Sequence, residues 1–442
     1  MNNRIQINMP QDVAYIINTL NQNGFKAYLV GGCVRDSLLG KAPKDWDIAT
    51  DAQSENVKLM FGKIIETGIK HGTVTAVIDS YNYEITTFRS SSSISTATLK
   101  DDLRLRDFTI NAIAYHPNEG IIDPFSGIQD IEKSIIRAVG SAKDRFREDP
   151  LRMLRAIRLS SILEFEIDSQ VLSSIKENCD LIKGVSQERI RDELSKILTS
   201  DRPMNFVILK ETGLLKFVLP EFERCFDTEQ NHPYHIYNVG MHSLKAIANI
   251  ENNLVLRWTM LFHDIGKPVV KTTDQNGIDH FYGHPEKSVH IAEKIMKRLR
   301  FDNKTMNKVL RLIKHHDRRI EPYCKPVRKA ASIVGKDIFL DLLKVQEADK
   351  KGQNPQYLEV RLEALSKIRE IFFDIEKEGQ ILTLKDLALN GDDLIAMGFE
   401  QSREIGIILK ELYNIVLDTP EMNTREKLIE AIGNLKKERF RT

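Results

Sequence analysis

Two aspartates follow a pair of glycines in the stretch from Tyr28 to Thr50, YLVGGCVRDSLLGKAPKDWDIAT. Asp45 and Asp47 are two residues apart, and residues at that spacing in a strand point to one face of the sheet. The Gly31-Gly32 turn lets the backbone approach a ligand closely, and free N–H groups at the start of a following helix favour an anion. Paired carboxylates beside such a turn suit Mg²⁺ that bridges a nucleotide triphosphate. The alternative is a tight turn followed by surface acids.

Glu84 is a candidate third carboxylate. It lies in the alternating segment YEITTF, which predicts a strand with Tyr83, Ile85 and Thr87 on one face and Glu84 on the other. A solvent-facing acid explains the same pattern.

A row of arginines follows in the segment FREDPLRMLRAIRLSSILEF. Asp149 is a predicted N-cap with Pro150 at the first helical position. The three arginines recur every third residue along one helix face, and they are Arg152, Arg155 and Arg158. We predict an apolar face next to them, made of Leu151, Leu154, Ile157 and Ile162. The alternative is a solvated basic flank of a packed helix.

The surrounding pattern predicts an α+β head followed by helices. We expect a helix at 11–22, a strand at 27–30, a second strand that carries both aspartates, a helix at 54–61 and a hairpin at 71–88. The segment LKDDLRLRDFTINAIAY predicts a turn and an amphipathic helix that begins near Asp107, and DPFSG predicts a turn. After Lys143 we expect no strands, and the segment QERIRDELSKIL predicts a helix at 187–198 that packs on the arginine helix.

Composition limits the class of protein. A chain of 442 residues suggests about two to four domains. Since 64 basic residues face 63 acidic ones, any nucleic-acid surface is a local patch. Four cysteines without a C-x-x-C pair favour a reducing compartment and argue against a zinc ribbon. We find no apolar run of signal-peptide or membrane-span length, so we predict a cytoplasmic protein without membrane contact.

Five motifs in order, GGCVRD with DWD, RDFTINAIAY, DPFSG, EDPLRMLRAIR and ERIRDELSKIL, resemble those of the bacterial-type (class II) CCA-adding tRNA nucleotidyltransferases. That family belongs to the polymerase β-like superfamily. The resemblance implies that Gly32 and Arg35 hold a triphosphate, that Asp45 and Asp47 bind two Mg²⁺ ions, and that Arg106 contacts the nucleotide. It also implies a nucleotide-reading helix with Asp149, Arg152, Arg155 and Arg158. The expected partners are CTP, ATP and the tRNA acceptor end.

The family architecture implies four domains. We expect a nucleotidyltransferase head at 1–142, a helical neck with the nucleotide-reading helix at 143–204, a helical body at 205–375 and a helical tail at 376–442.

Base choice follows from the side chains at the start of the arginine helix. Cytosine and adenine both present an amino donor beside an unprotonated ring nitrogen. Asp149 can accept from that amino group while Arg152 donates to the ring nitrogen, whereas uracil and guanine reverse both partners. An aspartate that caps its own helix has fewer lone pairs left for a base.

A second set of residues resembles the HD superfamily of metal-dependent phosphohydrolases. His242, the adjacent His263 and Asp264, and the late Asp349 match its pattern, with further histidines at 284, 315 and 316. The resemblance implies a second divalent metal at these four residues and a phosphatase or cyclic phosphodiesterase activity. The alternative is a degenerate HD fold that keeps only the helix packing.

Several functions remain open from the sequence. Family members that add only two cytidines lack a charged flexible loop, and here that place holds the short segment RSSSSISTATLKDD. A poly(A) polymerase, an HD phosphohydrolase with a degenerate head, and a non-catalytic RNA-binding scaffold also remain open. The sequence identifies no protein partner and no oligomeric state.

Overall fold

A computed structural model describes residues 6–68, 72–90, 97–380 and 382–439. The chain divides into two compact units, Met1–Val218 and Leu219–Thr442. The four domains expected from the sequence are a finer division, which stays a prediction. Among the described residues, no helix has the length and apolar character needed to cross a membrane.

A seven-stranded mixed sheet forms the base of the first unit. Its strands are β1 Ala27–Val30, β2 Asp47–Thr50, β3 Ile64–Gly68, β4 Thr73–Ile78, β5 Tyr81–Thr87, β6 Ala114–His116 and β7 Gly120–Ile122. They lie in the order β3-β4-β5-β2-β1-β6-β7. β2 and β5 run parallel, and the other neighbouring strands are antiparallel. The predicted α+β class is confirmed.

Helices cover this sheet and continue beyond it. They are α1 Gln11–Gln22, α2 Gly32–Leu38, α3 Ser54–Met60, α4 Leu99–Arg104, α5 Gly127–Glu132, α6 Ala142–Glu148, α7 Leu151–Leu163, α8 Ser169–Asn178, α9 Gln187–Leu198, α10 Val207–Glu211 and α11 Leu215–Val218. Short 3-10 helices lie at Thr109–Asn111, Cys179–Gly184 and Pro203–Phe206. A small parallel pair joins β8 Ile135–Ile136 to β9 Glu166–Ile167.

Burial explains why β1 is a central strand. All four of its residues are buried, so both faces need cover. α1 buries Val13, Ile16, Ile17 and Leu20, which is the i, i+3, i+4, i+7 spacing of one helix face. The predicted helix at 11–22 and strand at 27–30 are confirmed.

The segment RDFTINAIAY is not the helix that the sequence predicts. After Asp107 the chain forms the 3-10 turn Thr109–Asn111 and then the strand β6. Phe108 and the residues from Ile110 to Ala114 are buried almost completely. A segment buried on all sides has no polar face, so its periodicity does not separate helix from strand.

Five smaller differences from the sequence prediction also occur. Asp45 lies in a bend before β2, which begins at Asp47. The strand β3 was not predicted, and β9 lies beyond Lys143, where no strands were expected. α7 begins at Leu151, one residue after Pro150. Ile162 is 38% exposed, because the helix buries Ser161 instead.

The second unit is almost entirely helical. Its helices are α12 Pro220–Phe226, α13 Val239–Ala248, α14 Leu254–Phe262, α15 Lys267–Val270, α16 His284–Arg298, α17 Asn303–His315, α18 Cys324–Val334, α19 Phe339–Lys351, α20 Leu358–Lys377, α21 Gly391–Ala396, α22 Arg403–Asp418 and α23 Arg425–Arg439. Shorter elements are the 3-10 helices Lys336–Ile338, Pro355–Tyr357, Leu384–Asp386 and Pro420–Met422 and the hairpin of β10 Thr272–Thr273 with β11 Asp279–His280. The hairpin is an exception to the all-helical prediction for this half.

Candidate functional site

Three carboxylates lie at the start of β2 and beside it on the parallel strand β5. Asp47 pairs in register with Glu84 on the neighbouring strand, and Asp45 precedes Asp47 in the bend. Burial raises the pKa of Asp47, and Asp45 adds to this effect although Arg106 opposes it. Burial also raises the pKa of Glu84, with further contributions from Asp47 and Asp45. The three groups therefore repel one another electrostatically, and a cation between them would relieve that repulsion.

Gly31 allows a close approach beside these carboxylates. Its φ is +79°, a conformation that favours glycine. A Cβ at this position would lie 2.7 Å from a terminal nitrogen of Arg106 and 3.8 Å from Oδ2 of Asp47. Arg106 is itself held by Asp102, whose Oδ2 accepts from its Nε and Nη2 at 3.3 and 3.2 Å. Only a residue without a side chain leaves room for this guanidinium next to Asp47.

A hydrogen-bonded chain links α2 to α7 across the site. Arg35 donates from Nη1 to Oδ1 of Asn111 at 2.6 Å, and Asn111 donates from its amide to Asp107 at 3.1 Å. Arg155 on α7 donates from Nε to the other oxygen of Asp107 at 2.7 Å. Burial alone would raise the pKa of Asp107, but Arg155 and Asn111 outweigh it and lower that pKa to about 2. Asp107 is therefore ionised and fixes both arginines.

The other two arginines of α7 also have acidic partners. Arg152 donates to Glu148 at 2.7 Å and to the carbonyl of Leu105 at 2.8 Å. Arg158 donates to the buried Glu193 on α9 at 2.6 Å. The predicted packing of α9 on α7 therefore includes this ion pair.

Asp149 has a partner on each carboxylate oxygen. Oδ1 accepts from the backbone N–H of Leu151 at 3.2 Å, and Oδ2 accepts from Arg189 of α9 at 2.8 Å. The predicted N-cap at Asp149 is wrong, because Pro150 is the N-cap of α7 and Asp149 precedes it, although its side chain still accepts from the first N–H of the helix.

One cavity of about 520 Å³ collects these side chains. It is lined by ten residues that the sequence predicted for nucleotide and metal binding in this half, but not by the candidate Glu84. The ten are Gly31, Gly32, Arg35, Asp45, Asp47, Arg106, Asp149, Arg152, Arg155 and Arg158. Their catalytic and binding roles stay predictions. The same cavity is lined by residues that the sequence analysis did not select, including Arg89, Asn111 and Lys196. The face of α9 offered a signal, because Arg189, Glu193 and Lys196 follow helical spacing.

This cavity fits Mg²⁺ through its donor set. Mg²⁺ is commonly held by one or two carboxylates together with phosphate oxygens of the substrate. Asp45 and Asp47 supply the two carboxylates. In the described part of the chain, groups of three or more converging ligand side chains occur only in the second unit.

In the second unit, six side chains from five helical regions converge. His242 lies on α13, His263 and Asp264 directly follow α14, His284 begins α16, His316 follows α17, and Asp349 lies on α19. They form two candidate metal-binding groups, one of His242, His263, Asp264 and Asp349 and one of Asp264, His284 and His316. We call these six residues the His/Asp cluster. The four residues predicted from the sequence are thus brought together, whereas His315 belongs to neither group.

Backbone carbonyls set the orientation of all four imidazoles. Nδ1 of His242, His263, His284 and His316 lies 3.1, 2.8, 2.8 and 2.7 Å from a carbonyl oxygen. A carbonyl only accepts, so Nδ1 carries the proton and Nε2 keeps a free lone pair. The Nε2 atoms of His242 and His263 are 3.2 Å apart, and those of His284 and His316 are 3.1 Å apart. Two neutral imidazoles would face each other with lone pairs at these distances, so a proton or a metal ion has to lie between the paired nitrogens.

The charges in the His/Asp cluster also indicate that it requires additional positive charge. Burial alone would lower the pKa of His263, but Asp264 and Asp349 raise it to about 10. Lys267 places its Nζ 2.7 Å from Oδ2 of Asp264. The buried carboxylates thus attract positive charge, which protons or metal ions can supply.

Three family descriptions match consecutive parts of the chain. Residues 27–137 match "Poly A polymerase head domain", residues 164–226 match "Probable RNA and SrmB- binding site of polymerase A", and residues 233–361 match "HD domain". The first covers the sheet and the cavity residues from Gly31 to Asn111, whereas Asp149 and the arginines of α7 lie between the first and second matches. The last contains the whole His/Asp cluster.

Similar proteins, two of them aligned along nearly the whole chain, agree with these matches. The CCA-adding enzyme of Lactobacillus johnsonii is 44% identical over 45% of this chain, and the alignment spans only 53% of that protein. The CCA-adding enzyme of Pediococcus pentosaceus is 31% identical over 97% of this chain and 100% of its own length. The crystal structure of the Bacillus stearothermophilus CCA-adding enzyme in complex with CTP matches with a TM-score of 0.75 and 29% identity, covering 97% of this chain and 98% of that one. Because likeness in sequence and in fold extends along nearly the whole chain, the chain belongs to the family of CCA-adding enzymes.

Proposed function

We propose that this protein is a tRNA nucleotidyltransferase that builds or repairs the 3′-terminal CCA of tRNA from CTP and ATP without a nucleic-acid template. The observation that carries the proposal is the single cavity in which Asp45, Asp47, Gly31 and the arginines of α7 meet. The partners are CTP, ATP and the acceptor end of tRNA. Four unpaired cysteines, including the exposed Cys324, favour the reducing cytoplasm.

In this proposal, Asp45 and Asp47 are the residues that would hold Mg²⁺. The bound ion would supply positive charge that lowers the pKa of the attacking 3′-hydroxyl and offsets the charge of the leaving pyrophosphate. Arg35 and Arg106 lie in the same cavity and supply charge-assisted hydrogen bonds to phosphate oxygens. Their positions are fixed by Asn111 and Asp102, so little rotamer freedom is lost on binding.

The base is selected by Asp149 and Arg152 at the start of α7. An acceptor and a donor on a rigid helix match the edge that cytosine and adenine share. Arg152 already donates to Glu148 and to the carbonyl of Leu105, which fixes its guanidinium in the cavity. Each oxygen of Asp149 already accepts one hydrogen bond, so the base would use a remaining lone pair or displace Arg189.

Addition of CC alone is a second candidate function, since the loop that precedes α4 is short and Ser-rich. Residues 91–96 of that loop lie outside the described residues. A poly(A) polymerase is a third candidate, because the head and RNA-binding descriptions that match this chain carry that name.

We also propose a metal-dependent phosphohydrolase activity for the second unit. The facing Nε2 pairs of the His/Asp cluster support it. His242, His263, Asp264 and Asp349 would hold one divalent ion, and Asp264 with His284 and His316 offers ligands for another. A metal held by these residues would supply an activated water as the nucleophile.

Product length on a tRNA that lacks its CCA end tests the main proposal. With CTP and ATP together we expect three additions, ending in one adenosine, measured by gel electrophoresis of labelled tRNA. A product that stops after two cytidines would instead establish CC addition. A long adenosine tail made from ATP alone would establish a poly(A) polymerase.

Removing one metal-binding carboxylate should abolish nucleotide addition. For Asp47→Asn and Asp45→Asn we expect rates at least about 10³-fold lower, since a metal ion contributes several kcal/mol to stabilising the transition state. The rate of CMP incorporation measures this. Asp79→Asn on the exposed β4–β5 turn is the matched control and should keep the parent rate. Near-parent addition by either site variant would refute the assignment.

Changing the base-reading pair should alter selectivity more than total transfer. For Asp149→Ala and Arg152→Ala we expect the preference for CTP and ATP over UTP and GTP to fall about tenfold to hundredfold, the range of a lost buried hydrogen bond. Incorporation of each nucleotide, measured separately, gives the ratio. Arg147→Ala on the exposed face of α6 serves as the control. Unchanged ratios would make the pair purely structural.

A substitution in the His/Asp cluster should remove the proposed hydrolysis without affecting nucleotide addition. His263→Ala should lose bound divalent metal and the hydrolysis of p-nitrophenyl phosphate or a 2′,3′-cyclic nucleotide, while nucleotide addition is kept. Metal content by mass spectrometry and both assays provide the measurement. His290→Ala, an exposed histidine on α16, should retain all three properties. A parent protein without bound metal or hydrolysis would identify a degenerate HD fold.

A further inference from the structure

A second cavity, of about 500 Å³, opens beside the His/Asp cluster. His316 and Asp349 of the cluster form part of its lining. Four basic side chains also line it, and they are Arg318, Arg319, Lys350 and Arg361. We call these four residues the cationic wall.

Among the described residues, the side chains of the cationic wall form no ion pairs. In the parts of the chain that the structure describes, Arg361 donates only to the neutral amide of Gln353. Asp317 and Asp349 are the acidic side chains in the cavity lining. In the first unit, by contrast, Arg152, Arg155 and Arg158 each pair with a carboxylate. Four cations against two carboxylates leave this cavity lining with an excess of positive charge, which favours an anionic ligand.

Hydrogen bonds fix the wall relative to the cluster. Gln353 donates to both oxygens of Asp349 at 3.1 Å, and its own oxygen accepts from Arg361 at 2.6 Å. Gln346 donates to the carbonyls of His316 and Arg318 at 3.0 and 2.8 Å. One ligand can therefore contact both the cluster and the wall without rearrangement of the backbone between them.

The rest of the cavity provides an apolar surface. Ala364, Leu365 and Ile368 line it together with Tyr234. The guanidinium of Arg361 lies 5.2 Å from the centre of the Tyr234 ring, a cation–π distance that orients this arginine. This surface has room for an organic group in addition to phosphate.

We propose that the cationic wall is a binding subsite for a second phosphate group, so that the substrate of this unit is a small organic phosphate that carries two phosphates. The inference rests on the phosphohydrolase function proposed above. One phosphate lies at the His/Asp cluster and the other against Arg318, Arg319, Lys350 and Arg361. A single phosphate monoester leaves most of the charge of the wall unbalanced, whereas a second phosphate balances it.

Anion binding without metal tests the subsite independently of hydrolysis. Calorimetric titration of the full chain in excess chelator should show one binding event for pyrophosphate in this unit, besides any binding to the cavity of the first unit. Orthophosphate should bind at least tenfold more weakly. Arg318→Gln/Arg319→Gln should lose the event, because it removes two cations that form no ion pair. Lys294→Gln/Lys304→Gln, which removes two exposed lysines of the same unit, should keep it.

These measurements test the proposed phosphate subsite and the proposed hydrolase activity independently of each other. Parent-like pyrophosphate binding by Arg318→Gln/Arg319→Gln overturns the subsite, whatever the hydrolysis assays show. Loss of the binding event in that variant supports the subsite even if the parent protein hydrolyses nothing. In that case only the proposed hydrolase activity is refuted.

Inhibition provides a second test if the parent protein is active. Pyrophosphate and ADP should inhibit p-nitrophenyl phosphate hydrolysis more strongly than orthophosphate and AMP, and the double variant should remove the difference. Tighter binding of a short RNA than of ADP at the wall would overturn the small-molecule assignment.

Discussion

The buried carboxylate of Asp107 is the contact on which the first cavity depends. It accepts hydrogen bonds from Arg155 of α7, from Asn111 and from the backbone N–H of Phe108. An ion taken out of water is costly unless its charge and lone pairs are matched, and here they are. Because Asn111 also accepts from Arg35, a single ionised group positions an arginine on α2 and an arginine on α7. The two sides of the cavity are therefore fixed by one hydrogen-bond network.

Local patterns identified the elements around this network but not the network itself. α1, β1 and α9 were predictable because one apolar face or one short apolar run determines each of them. The segment from Phe108 to Ala114 was mispredicted because burial on all sides removes the periodicity that sequence reading uses. The partnership of Asp107 with Arg155 spans 48 residues, and no local rule connects residues so far apart.

The same limit applies to the second unit. The HD pattern pointed to His242, His263, Asp264 and Asp349, and the structure brings these residues together. Asp264 also belongs to the group with His284 and His316. It does so because the start of α16, which carries His284, and the end of α17, which precedes His316, both lie next to it. Spacing in the sequence could not separate His316 from its neighbour His315. The Nδ1 contact of His316 with the carbonyl of Ile313 directs its Nε2 into the cluster.

The arginines in the two units are arranged for different tasks. In the first unit each α7 arginine is held by a carboxylate, which lowers its attraction for free phosphate but fixes the direction of its remaining donors. Fixed donors suit the recognition of a base edge, where selectivity depends on hydrogen-bond direction more than on net charge. The carboxylate of Asp149 is likewise oriented in the absence of a ligand, by its hydrogen bonds from Arg189 and from the N–H of Leu151. If Asp149 reads the base as proposed, an amino donor of the nucleotide would be accepted there, whereas a carbonyl at that place would face another acceptor. In the proposed function, the contact between α9 and α7 would therefore contribute to base choice as well as to packing.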